Sequence, residues 1–144
     1  IIGELDIPEG FYCNKLRVIR DKFTDEISTS SPILYPIVIR KYEENGIVSK
    51  YLSLYTKGST LNVGIKGVII ILEDGLKISL PNEDVTSSAS TGRGWNYSAS
   101  ISLNDEQINM IKNSPITDFR LYIYDKTIDD GLKYSEYMKC IFPD

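Results

Sequence analysis

Acyl transfer needs a nucleophile with a general base beside it, and the commonest base is missing: the 144 residues include no histidine. Cys13 and Cys140 have no imidazole to pair with, and no serine stands in the Gly-x-Ser-x-Gly frame of a nucleophile elbow. The same absence removes the commonest ligand of transition metals. Gly92 and Gly94 are followed by Trp95, where a phosphate loop would continue into a glycine-bearing helix start, so no nucleotide fingerprint is completed. The 20 Asp and Glu residues leave open a carboxylate pair of the glycosidase kind, which is defined by a separation that sequence does not give.

Asp125, Thr127, Asp129 and Glu136 match the first, third, fifth and twelfth places of a calcium loop, where hard oxygen ligands belong. Asp130 occupies the place of the turn-forming glycine, Gly131 comes one place late, and the preceding segment reads as a strand where a helix is required. A solvated acidic turn is expected there, with neither metal nor cofactor.

What remains is recognition chemistry. The Ser/Thr/Gly-rich stretch Thr86–Gly94 reads as a long mobile connection that delivers Arg93 and, just beyond it, Trp95: a guanidinium and an aromatic of the kind that hold a sugar or a peptide. Against this, Trp95 and Tyr97 share their strand face with Ile101 and Leu103, and a core position is the stronger reading for both. Tyr51 and Tyr55, with Ser53 between them, form a second aromatic and polar face, and tyrosine offers large contact area at low entropic cost. Arg93, Trp95, Tyr51 and Tyr55 are the candidate ligand-binding residues.

The elements that must carry them are mostly strands. Trp95, Tyr97, Ala99, Ile101 and Leu103 alternate with Asn96 and three serines, the period of a strand with one buried face. Phe119, Leu121 and Ile123 repeat it, while Val68–Leu72 is apolar on both faces and reads as a covered central strand. Asp74-Gly75 reads as a type I′ hairpin turn, and Asn45-Gly46 joins a second hairpin, Ile37–Tyr42 with Val48–Thr56. Lys15–Arg20 is a further candidate strand. Asn104 caps a helix whose third residue is Gln107, with Leu103 and Ile108 placed as its staple and Pro115 ending the run. Tyr134, Tyr137, Met138 and Ile141 fall on one helical stripe between Leu132 and Ile141, where a strand is the competing reading. The fold expected is mainly β: one antiparallel, sandwich-like domain over residues 1–144, with about seven strands and one or two short helices.

A formal charge of −4 speaks against the basic footprint that neutralises phosphates, so neither nucleic acid nor an anionic membrane surface is an expected partner. No apolar run reaches the roughly 20 residues of a membrane span. The first residue is Ile1 and not methionine, which fits a chain trimmed of a targeting segment. Cys13 and Cys140 read most simply as two buried free thiols; a bond between them would enclose nearly the whole chain.

Asp21-Lys22-Phe23-Thr24, the run from Lys66-Gly67-Val68-Ile69 through Asp74-Gly75, and Ile116–Tyr124 resemble segments of small, uncharacterised, lipoprotein-like bacterial β-rich proteins. The resemblance covers about residues 16–141 and implies an exported β domain, with no activity or site attached. The expected function is a non-catalytic extracytoplasmic interaction or surface module, with protein or glycan as partner. The alternative is a carboxylate-dependent enzyme acting on glycans.

Overall fold

The computed structural model describes residues 10–144. Nine antiparallel strands form one curled sheet in the order β1-β2-β3-β4-β7-β6-β5-β8-β9. They are β1 Arg17–Arg20, β2 Ile27–Ser30, β3 Ile37–Glu44, β4 Ile47–Gly58, β5 Ile65–Leu72, β6 Lys77–Ala89, β7 Trp95–Ser102, β8 Ile116–Leu121 and β9 Tyr124–Thr127. Two helices complete the fold, α1 Asp105–Asn113 and α2 Gly131–Ile141.

The mainly β, antiparallel expectation with two short helices holds, whereas the strands among the described residues number nine and run in one hydrogen-bonded series. β6 accounts for much of that difference. Its first part pairs with β5 from Lys77 to Val85, and its last four residues pair with β7, Thr86 facing Ser98 and Ala89 facing Trp95. One long strand thus serves two arms of the sheet. Thr86–Ala89 is therefore strand and not mobile loop, which leaves only Ser90–Gly94 as the connection. Ser and Thr carry no hydrophobic alternation to announce a strand, but their hydroxyls match the polar face of β7.

The core lines the concave side. Ile37 and Ile39, Leu52 and Leu54, and Tyr97, Ala99 and Ile101 alternate into it from one arm, and Val68, Ile70, Leu72, Phe119 and Leu121 from the other. Fully burying side chains of this kind contributes about 1.5–3 kcal/mol each. Ile69 and Ile71, on the other face of β5, are half-buried, so this strand is fully covered on one side only. Ile123 lies beyond the end of β8 and is exposed, because Tyr122 adopts a left-handed φ of 59° and turns the chain back.

Asn45 and Gly46 both have positive φ, 53° and 77°, the pairing a type I′ turn requires. At the other hairpin only Gly75 is left-handed, with φ 90°, so Asp74-Gly75 is not a type I′ turn. Asp74 instead uses its carboxylate to accept from Leu76 N at 2.9 Å.

Asn104 caps α1 in both directions: its Oδ1 accepts from Gln107 N at 2.8 Å, and its own N–H donates to Gln107 Oε1 at 3.0 Å. The Leu132–Ile141 stripe is helical and buries Tyr134, Tyr137, Met138 and Ile141. α2 packs on α1 and also on β3 and β8, closing the space between the two arms. Cys13 and Cys140 form a disulfide, Cα to Cα 5.3 Å, which corrects the reading of free thiols. Cys13 is exposed and not buried. The bond ties the short 3-10 turn Cys13–Lys15 to α2. No helix among the described residues is long and apolar enough to cross a membrane.

Candidate functional site

Antiparallel strands put their connections at two ends. At one end lie Ser31–Pro36 between β2 and β3, Ser59–Gly64 between β4 and β5, Ser90–Gly94 between β6 and β7, and the Tyr122-Ile123 turn between β8 and β9. Tyr124 ties the 59–64 connection to strand β7. Its ring stacks on Tyr97 with centroids 4.4 Å apart, and its hydroxyl donates to the Thr60 carbonyl at 3.1 Å while accepting from Asn62 Nδ2 at 2.6 Å. Tyr97 sits deeper: its hydroxyl accepts from Asn62 N at 2.9 Å and donates to the same Thr60 carbonyl. Burial pushes the Tyr97 phenol above the ordinary tyrosine value, whereas the Thr60 side-chain hydroxyl, 2.9 Å from the Tyr124 oxygen, holds Tyr124 below it.

Two glycines let the backbones converge. A Cβ on Gly58 would lie 2.5 Å from the Tyr124 ring, and one on Gly94, whose φ is +84°, would lie 2.6 Å from the Gly58 carbonyl oxygen. The 90–94 connection is thereby seated on the start of 59–64. One residue beyond Tyr124 and Asp125, Lys126 reaches across to place its ammonium 5.3 Å from the Tyr35 ring centre, linking the 31–36 connection to β9.

Held in this way, the connections expose apolar side chains at their tips: Ile33, Leu34 at 62%, Tyr35, Leu61, Val63 at 74% and Ile123 at 60%. None of the four contains a carboxylate, and Arg93 is their one charged residue. Asp125, one residue in from this end, forms a two-pronged pair with Arg120, and Asp84, farther along β6, lies 3.2 Å from Lys66, while Glu83 beside it has no cation partner among the described residues. The opposite end carries acid: Asp21, Asp25 and Glu26 in one turn, Glu73 and Asp74 in another, and Asp129 and Asp130 before α2.

The expected ligand-binding residues divide between two faces. Arg93 is exposed in the 90–94 connection, and Trp95 opens β7 half-buried against the core, as its alternation with Tyr97 and Ala99 allowed. Tyr51 and Tyr55 oppose Ser102 and Ser98 on β7, whereas Trp95 and Tyr97 oppose Gly58 and Thr56, so the tyrosines stand on the other face of the sheet. Arg93 and Trp95 are therefore not brought together with Tyr51 and Tyr55. Tyr51 meets the edge of Tyr42 at 5.8 Å beside a shallow 250 Å³ hollow that Glu26 and Ser49 complete.

A larger cleft of about 500 Å³ lies where β3 and β4 meet both helices, lined by Lys41, Lys50, Lys112 and Asp105 among others. Its charges are mutually satisfied. Lys50 reaches Asp105 at 2.6 Å, Lys112 reaches Asp144 at 3.0 Å, and Lys41 donates to the Ile141 carbonyl at 2.9 Å. Lys50 holds the Asp105 carboxyl below the ordinary range, and Arg120 does the same for Asp125. A glycosidase acid needs the opposite displacement. In the calcium-like spacing, Asp125 faces Arg120 while Glu136 sits on α2, 3.2 Å from Lys139, so the two acids serve separate cations.

The apolar tips escaped sequence reading because Leu61 and Val63 stand singly among polar residues, while Ile33–Tyr35 and Ile123 adjoin apolar strand segments and blend into them. Only the pairing of strands brings them to one end. Comparison with family models, with curated proteins and with solved structures found no match.

Proposed function

We propose that this chain is a non-catalytic interaction module working outside the cytoplasm, with the loop end of the sheet as its contact surface. The observation that carries this reading is that four connections at one end of the sheet present exposed apolar side chains, with the 59–64 connection bonded to the Tyr97–Tyr124 stack and the 90–94 connection seated on its start. Contacts made from pre-ordered loops lose less entropy on binding than contacts made from mobile ones. The Cys13–Cys140 bond supports an oxidising compartment, and so the exported β domain that the sequence resemblance implies. Arg93 belongs to this surface, with Trp95 behind it. The face of Tyr51 and Tyr55 is a separate and shallower place for a protein or glycan to rest.

The test presents the oxidised protein to a glycan array, a peptide array and lipid vesicles, beside the double variant Leu34→Ser/Val63→Ser. Both positions are exposed, so thermal stability should be unchanged. Capture by at least one surface, lost in the variant, is the expected result. Equal capture by both proteins would remove the loop end as the contact surface, and release of sugar from any glycan would replace the module by the carboxylate-dependent enzyme.

A further inference from the structure

We infer that the partner of the loop end is a lipid bilayer surface, into whose headgroup region the loop tips sink; this rests on the reading above that the loop end is the contact surface. Three features carry it. The first is the form of the apolar surface. Leu34, Val63 and Ile123 project from three different connections and are more than half exposed, and the same end exposes the hydroxyl-bearing Ser59 and Thr91. A protein interface wants a contiguous apolar centre inside a polar rim. Separate tips suit a fluid boundary, where each can bury its own side chain while neighbouring hydroxyls meet headgroups.

The second is charge. A net −4 makes an anionic surface a poor partner only if the charge is spread evenly, and here it is not. The four connections carry Arg93 and no acid, exposed Lys57 stands just before the 59–64 connection, and of the acids nearest them Asp84 and Asp125 are paired to cations, which leaves Glu83 alone without one among the described residues. The acidic turns lie at the far end of the strands, at least about twice the roughly 8 Å over which physiological salt screens a charge, given a rise of about 3.3 Å per strand residue. An anionic membrane would attract one end, repel the other and so orient the molecule.

The third is aromatic. Tyr35 and Tyr122 are exposed at the same end, and an amphipathic ring of this kind settles at the level of the headgroups.

Vesicle flotation tests this with phosphatidylcholine alone and with phosphatidylcholine containing a third phosphatidylglycerol. The protein should float with both, more strongly with the anionic mixture, and the excess should fade with added salt. Leu34→Ser and Val63→Ser should each weaken partition about tenfold, in line with removal of one buried apolar side chain. Arg93→Ala should lose only the anionic excess, about fivefold for one basic side chain near a charged surface. Ile47→Ser, an equally exposed apolar residue at the acidic end, should change nothing. Failure to float with either vesicle, or flotation unaffected by the Leu34 and Val63 changes, would overturn the lipid assignment. If vesicles fail while those changes abolish glycan or peptide capture, the module reading stands without lipid. If they alter no capture of any kind, both readings fall.

Discussion

The ring of Tyr124 occupies the space that a side chain on Gly58 would need, with Cε1 only 2.5 Å from the position of its Cβ. A strand at one edge of the sheet is thereby locked onto the end of β4, five places away in the strand order.

Gly58→Ala should consequently push the Tyr124 ring off Tyr97 and cost about 1–3 kcal/mol, the range for overpacking a close contact. Tyr124→Phe keeps the stack and loses the hydrogen bonds to Thr60 and Asn62, at about 1 kcal/mol. Chemical denaturation of the two variants would show this order of losses, and an undisturbed Gly58→Ala midpoint would refute the close approach.

Reducing Cys13–Cys140, or replacing both with serine, should lower stability by up to about 5 kcal/mol, the chain-entropy value for a loop closed across a separation of 127 residues. Denaturant curves with and without reductant measure it. Coincident curves would mean that the unfolded chain gains nothing from release.

Ile101→Ala should cost roughly 2–5 kcal/mol by opening a cavity at a fully buried strand position, whereas Arg93→Ala should stay within about 0.5 kcal/mol because that side chain is exposed. Equal thermal shifts would show that Arg93 is embedded and not free to meet a partner.

Tyr134 is buried, and its hydroxyl has no hydrogen-bond partner among the described residues. Tyr134→Phe should therefore be neutral or stabilising by up to about 1 kcal/mol. Burial also raises its phenol above the ordinary value, so the unfolded chain releases this proton first as pH climbs through about 10, and stability falls from there until the folded-state value is passed. Stability measured from pH 8 to 11 should decline less steeply in Tyr134→Phe than in the parent. An identical alkaline decline would remove Tyr134 as a contributor.

What was legible in the sequence was local. The alternation from Trp95 to Leu103 placed Tyr97, Ala99 and Ile101 in the core, and Asn104 with Gln107 announced the capping box that α1 uses. What was not legible depends on distance along the chain. Tyr124 and Thr60 are 64 residues apart, and nothing near either residue marks the pairing. The Thr86–Ala89 segment is strand only because β7 supplies a matching polar face, and the sharing of β6 between two arms follows from that register. The opposite orientations of Trp95 and Tyr55 were implicit in parity alone, but parity across strands needs a register, which the turns do not supply for β4 and β7.

The Cys13–Cys140 bond also bears on survival among proteases. The exposed Ser90–Gly94 connection is a natural place for cleavage, and a cut there leaves one cysteine on each fragment. The nicked molecule would remain a single covalent body, with its strands still paired across the break, and would separate into two pieces only under reduction.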